Sequence, residues 1–261
     1  MTNYYRPPTF SLFPPVVKYL LIINALFFLA MKALALQGFD LAGPLGLHFY
    51  KSAEFKPFQI VTYMFMHGSF MHIFSNMFGL WMFGNALENY WGSKRFLIFY
   101  IICGLGAGLT QEISQYIYFQ HVQNAIDIYS KMPNEPDFQY LMGKYFSAMP
   151  DVESVRVTLS TSTGYLTDKL TQLMSVPTVG ASGAIFGILL AFGVMFPDTL
   201  LFLLFLPIPI KAKYFVFFYA AFELYSGLAN HTGDDVAHFA HLGGLFFGLI
   251  MVLYWKRKRT L

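Results

Sequence analysis

Long apolar runs separated by short polar stretches recur along the chain, at roughly 18–36, 70–88, 96–118, 178–196, 213–229 and 236–255. Each approaches the ~20 residues that an α-helix needs to cross a hydrocarbon core of ~30 Å. None opens with the short apolar core and small-residue cleavage site of a secretory signal, so the first run is expected to stay as an anchor. Leu200–Leu206 is apolar too, but it is short and Pro207 and Pro209 end it. It reads as a connection at the membrane interface. The stretch 111–176 breaks the rhythm, being polar, with Pro133, Pro136, Pro150 and a hydroxyl cluster at Ser160–Thr163. Within it Phe138–Phe146 and Tyr165–Met174 read as short amphipathic helices, and the simplest account is an insertion tolerated in a connecting loop. The chain carries no repeat of fixed period.

Composition sharpens this into a class. Hydrophobic residues make up 56% and charged residues 12%, against about a quarter charged in soluble domains. The expectation is one all-α membrane domain over 1–261, a bundle of six transmembrane helices. Arg6, Lys18, Lys94, Arg95, Lys211, Lys213, Lys256, Arg257, Lys258 and Arg259 flank one set of helix ends. The opposite short loops hold only Lys51 and Lys56, with Asp234 and Asp235 in the last of them. Ten basic residues against two place both termini in the cytoplasm and make the 111–176 insertion extracytoplasmic, in a multi-pass protein of the cell membrane. Lys32, near the outer end of the first span, can snorkel. The single cysteine, Cys103, rules out an intramolecular disulfide.

Polar groups inside apolar spans are costly and mark function, and three clusters of them come with glycine. Gly180-Ala181-Ser182-Gly183 opens the fourth span, leaving the Ser182 hydroxyl uncovered beside the free amides of a helix N-terminus. His241 lies in the last span, with Gly244 and Gly248 three and seven residues later on the same face. His72 and Asn76 sit one turn apart in the second span, on one face, and could donate to a single oxygen. Taken singly, each cluster also suits helix packing: Gly183 with Gly187 is a Gly-xxx-Gly pair. For metal binding by His67 with His72, no carboxylate or cysteine stands at ligand spacing; a His238–His241 pair stays open on spacing. Taken jointly, a serine, a base and a set of donors share one depth in the membrane, which separate packing roles would not require.

These pieces resemble the rhomboid family of intramembrane serine proteases: Met71-His72-Ile73-Phe74-Ser75-Asn76, Gly180-Ala181-Ser182-Gly183, and Ala240-His241-Leu242-Gly243-Gly244 with Gly248. Their order and span positions match over about residues 50–110 and 176–255. The resemblance implies a Ser182–His241 dyad with no third acid, and an oxyanion site from His72, Asn76 and the Ser182 amide. It also implies no metal or organic cofactor. The partners implied are transmembrane protein substrates cut near their outer ends within the lipid bilayer, and not nucleic acid. Three features depart from the family pattern. Pro57-Phe58-Gln59 stands where many members carry Trp-Arg, Phe186 stands where many carry a Tyr packed on the histidine, and the insertion is long. A non-proteolytic adaptor that binds transmembrane helices is the competing function; a transporter would be expected to show repeats.

Overall fold

The computed structural model describes residues 10–146, 158–203, 206–229 and 236–258. Arg6, Asp234, Asp235 and Arg259 of the charge pattern, and Pro150, lie outside them. Helix α1 (Pro15–Ala35) opens with proline at its first position, where the fixed φ suits the helix and no amide is lost. The next two amides would lack acceptors within the helix. They find Glu88 instead: Val16 N–H donates to Oε1 (2.9 Å) and Val17 N–H to Oε2 (2.8 Å). The carboxylate also faces the positive end of the α1 dipole.

Helix α2 (Phe70–Gly79) is capped by the Ser69 side chain, which accepts from His72 N–H. It continues through a π turn (Leu80–Gly84) into α3 (Asn85–Trp91). Gly92, at φ 81°, then reverses the chain. Helix α4 (Ser93–Tyr129) has 37 residues, about 55 Å at 1.5 Å each, so it outruns the predicted 96–118 span. Its far end is not loose. Short helix α5 (Glu135–Leu141), a π turn (Met142–Phe146) and helix α6 (Leu159–Met174) fold back on it. Phe119, Val122 and Ile126 of α4 pack there with Phe49, Phe146, Leu166 and Leu170 in a second apolar core. The two helices fall on the pieces predicted from amphipathicity, beginning earlier in each case, and they form a packed unit where a loop insertion was expected.

Helix α7 (Ser182–Met195) leads to strands β1 (Leu200–Leu203) and β2 (Leu206–Lys211), then helices α8 (Ala212–Ala229) and α9 (His238–Arg257). The segment expected as a plain connection is therefore an antiparallel hairpin, with Leu200 opposite Lys211 and Leu201 opposite Ile210. Pro207 and Pro209 are tolerated because each strand of a two-stranded ribbon keeps an unpaired edge. This hairpin departs from the all-α expectation in a chain that is otherwise mostly helical.

Helices occupy all six predicted segments, and α1, α4 and α9 are long and apolar enough to cross a membrane, with α7 a shorter apolar helix. Their outer faces expose Leu26, Leu29, Phe217, Phe218, Phe246 and Leu253, more apolar surface than water tolerates but suited to lipid. The centre is built by close approach of α4, α7 and α9. A Cβ on Gly183 would strike Ala107, one on Gly187 would strike Cys103, and one on Gly106 would strike Phe247. Small residues at these contacts let backbones meet, which is how helices associate when lipid removes the hydrophobic drive.

Candidate active site

The chain enters α7 through a guided turn. Leu47 and Thr178 exchange backbone hydrogen bonds (2.9 and 2.8 Å), and Gly180 N–H donates to the Tyr63 carbonyl (2.9 Å). Gly180 takes φ 126°, open to glycine and strained for other residues. Glycine is required here twice over, because a Cβ would lie 2.7 Å from His72 Nε2 and 3.5 Å from Ser182 Oγ. Ser182 follows as the first residue of α7, where helical amides have no acceptor within the helix.

Helix α9 brings His241 to that serine. The Ser182 hydroxyl lies 2.8 Å from His241 Nε2. Phe186, one turn along α7, stacks on the imidazole at 4.2 Å between centroids and 8° between planes, and this holds the ring in one orientation. Ser182, His241, His72 and Asn76 all line one cavity of about 1890 Å³. Asn76 is buried, and its Nδ2 has no hydrogen-bond partner among the described residues, an expensive state for a donor unless something else uses it. So all four site residues expected from the sequence converge. The geometry offers a hydroxyl facing a base, with donors close by, which are the parts of acyl transfer.

The comparisons with known proteins concern the same residues. The family model described as the rhomboid domain matches residues 54–118 and 140–258. The chain belongs to the rhomboid family. An uncharacterized mitochondrial rhomboid protein of Schizosaccharomyces pombe is 27% identical over 214 residues, 76% of this chain and 52% of its own. The rhomboid protease GlpG of Salmonella newport is 34% identical over 59 residues, 23% of this chain and 21% of its own. The matches thus span about half the length of the first relative and about a fifth of the second.

This rhomboid fills its departures in its own way. Gln59, fully buried at the start of a short helix (Gln59–Thr62), ties backbone groups together: Oε1 accepts from Lys56 and His48 N–H, while Nε2 donates to the Pro44 and Glu54 carbonyls. Phe186 supplies the stacking without a hydroxyl. The rhomboid resemblance implied no acid behind the histidine, yet one stands there. Buried Glu223 of α8 places Oε2 2.9 Å from His241 Nδ1 and 2.6 Å from His238 Nδ1. Sequence reasoning missed both Glu223 and the company His238 keeps. The signal was present, because Glu223 is a carboxylate inside an apolar helix, the kind of residue that marks function in a membrane.

Metal-ligand geometry follows the same cluster. Among the described residues, the ligand atoms of Glu223, His238 and His241 lie within 4.8 Å of one another, so the His238–His241 pair gains the carboxylate that spacing alone could not supply. Both Nδ1 atoms point at one oxygen at hydrogen-bond distance, and hydrogen bonds account for the arrangement. His67 and His72 meet edge to face at 5.0 Å, and among the described residues no carboxylate or cysteine joins them in a ligand cluster.

Proposed function

We propose that the protein is an intramembrane serine endopeptidase. The observation that carries this is the 2.8 Å contact between Ser182 Oγ and His241 Nε2 on a cavity that also holds His72 and Asn76. Ser182 Oγ attacks a peptide carbonyl carbon while its proton passes to His241 Nε2. The oxyanion is met by His72, Asn76 and the Ser182 amide. His241 then protonates the departing amine as the C–N bond breaks, and water hydrolyses the acyl-enzyme by the reverse roles. No metal or organic cofactor is needed for these steps.

The substrates proposed are transmembrane segments of other membrane proteins, cut near their outer ends. The arrangement proposed is six crossings in the cell membrane, both termini cytoplasmic, with 111–176 on the outer side. The basic residues at one set of helix ends support that orientation. The test is cleavage of a model transmembrane substrate together with labelling by a fluorophosphonate. Wild type should do both, and Ser182→Ala and His241→Ala should do neither while keeping wild-type helix content. Equal cleavage by wild type and Ser182→Ala would remove the serine mechanism. A folded wild type that neither labels nor cleaves would favour a helix-binding adaptor.

A further inference from the structure

The proposed Ser182–His241 chemistry gives the buried carboxylate of Glu223 no task. Glu223 projects from α8 into the space beside α9, 3% exposed. Gly227, one turn further along α8, keeps the two helices close, since a Cβ there would come within 3.2 Å of His238 Cβ. His238 and His241 stand three apart on α9 and share a face. Both turn Nδ1 onto the same Glu223 oxygen, at 2.6 and 2.9 Å.

We infer that Glu223 is the positioning residue of this active site, fixing His241 as the tautomer able to accept the Ser182 proton, with His238 holding Glu223 in place. The inference rests on the proteolytic reading. A carboxylate only accepts, so His241 carries its hydrogen on Nδ1 and leaves the Nε2 lone pair facing Ser182 Oγ. With the hydrogen on Nε2 instead, the ring would meet the hydroxyl with a donor and could not act as base. A lone buried carboxylate is costly, and the second N–H, from His238, offsets part of that cost.

The charge also matters after proton transfer. When the Ser182 O–H bond breaks and its O–C bond forms, His241 becomes imidazolium. The Glu223 carboxylate stabilises that cation without taking the proton, which stays on His241 until the leaving amine receives it. Phe186 fixes the plane of the ring and Glu223 fixes which nitrogen faces Ser182. The two constraints are different, and stacking alone would leave the ring free to present either tautomer.

The test combines kinetics with a tautomer measurement on the full-length protein in membranes. Glu223→Gln keeps the shape but offers one acceptor and one donor to two histidines, and Glu223→Ala offers neither. Both should lower kcat on the order of 10²- to 10⁴-fold, with KM within about twofold and fluorophosphonate labelling slowed in parallel. Glu223→Asp, which restores a carboxylate on a shorter arm, should recover part of the loss. In ¹⁵N-histidine-labelled wild type, the signal lost in His241→Ala should show a protonated Nδ1 and a bare Nε2. A bare Nδ1 in wild type would overturn the inference, whether or not the variants fold. Full kcat in folded Glu223→Gln and Glu223→Ala, beside an inactive Ser182→Ala, would overturn it too and leave the Ser182–His241 pair standing. Full cleavage by Ser182→Ala would instead bring down the proteolytic reading itself.

Discussion

Gly244 of α9 rests against the carbonyl of Gly183 in α7, so closely that a Cβ on Gly244 would collide with that oxygen. One residue before Gly183 and three before Gly244 stand Ser182 and His241, whose side chains meet at 2.8 Å. The packing contact and the Ser182–His241 contact are therefore one piece of construction: the helices can bring a hydroxyl to an imidazole because nothing but hydrogen separates their backbones. The glycine motifs that pack the helices also set this side-chain contact.

That relationship makes Gly244 the sharpest probe of the interface. Gly244→Ala should force α7 and α9 apart, costing about 1–3 kcal/mol of stability and most of the activity. Gly164→Ala in α6 has nothing within 4 Å of its Cβ and should be neutral or stabilising by up to about 1 kcal/mol. Thermal unfolding in detergent and substrate cleavage read both effects. Wild-type cleavage by Gly244→Ala would mean the helices can separate without losing the Ser182–His241 contact.

Asn76 and His72 should act on turnover more than on nucleophile reactivity. Asn76→Ala or His72→Ala is expected to lower kcat by about 100-fold or more, while Ser182 keeps part of its labelling by fluorophosphonate. Asn76 lines the cavity, and its buried Nδ2 has no hydrogen-bond partner among the described residues, which motivates this. Full turnover in both variants would leave the Ser182 amide as the whole oxyanion site.

The proposed orientation can be read with one thiol. Ser162, in the hydroxyl cluster, is buried and bonded to Tyr129, so the exposed neighbour Thr167 is the better position. Thr167→Cys in a Cys103→Ala background should react with an impermeant maleimide added outside intact cells. Reaction only after permeabilisation would invert the topology.

The packed segment of α5 and α6 against the end of α4 should behave as a small folded unit with a stability of its own. Leu166 is fully buried against the end of α4, and Leu166→Ala is expected to cost about 2–5 kcal/mol locally. Hydrogen exchange should rise in residues 119–129 and 159–174 and stay unchanged around Ser182. Uniform protection throughout would show that the second core carries no stability.

Substrate choice should follow the ease of opening a helix. A carbonyl inside an intact helix is hydrogen-bonded, and freeing it in lipid leaves backbone groups without partners. Gly180, Ala181 and Gly183 around the nucleophile leave room for an unwound strand. Model substrates with Gly or Pro shortly after the cut site should be cleaved much faster than the same spans with Leu there. Equal rates would place recognition elsewhere.

By itself the sequence determined where the helices run and which hydroxyl and imidazole to bring together. Apolar runs of spanning length declare themselves, and Ser182, His241, His72 and Asn76 each lie in a local pattern with glycine or at a one-turn spacing. These are properties of neighbours along the chain, and neighbours are what a sequence displays. Only the tertiary structure decided that α4 continues to Tyr129 and carries a second core, because that depends on Phe146 and Leu166 finding Phe119 and Val122 across long stretches of chain. The hairpin after α7 is of the same kind, its register set by the pairing of Leu200 with Lys211. Glu223 lies 15 residues before His238 and 18 before His241, on another helix, at a spacing that no single-helix periodicity connects. Its contact with His241 depends on the angle at which α8 meets α9 beside Gly227, and that angle is set by packing between helices rather than by any run of residues.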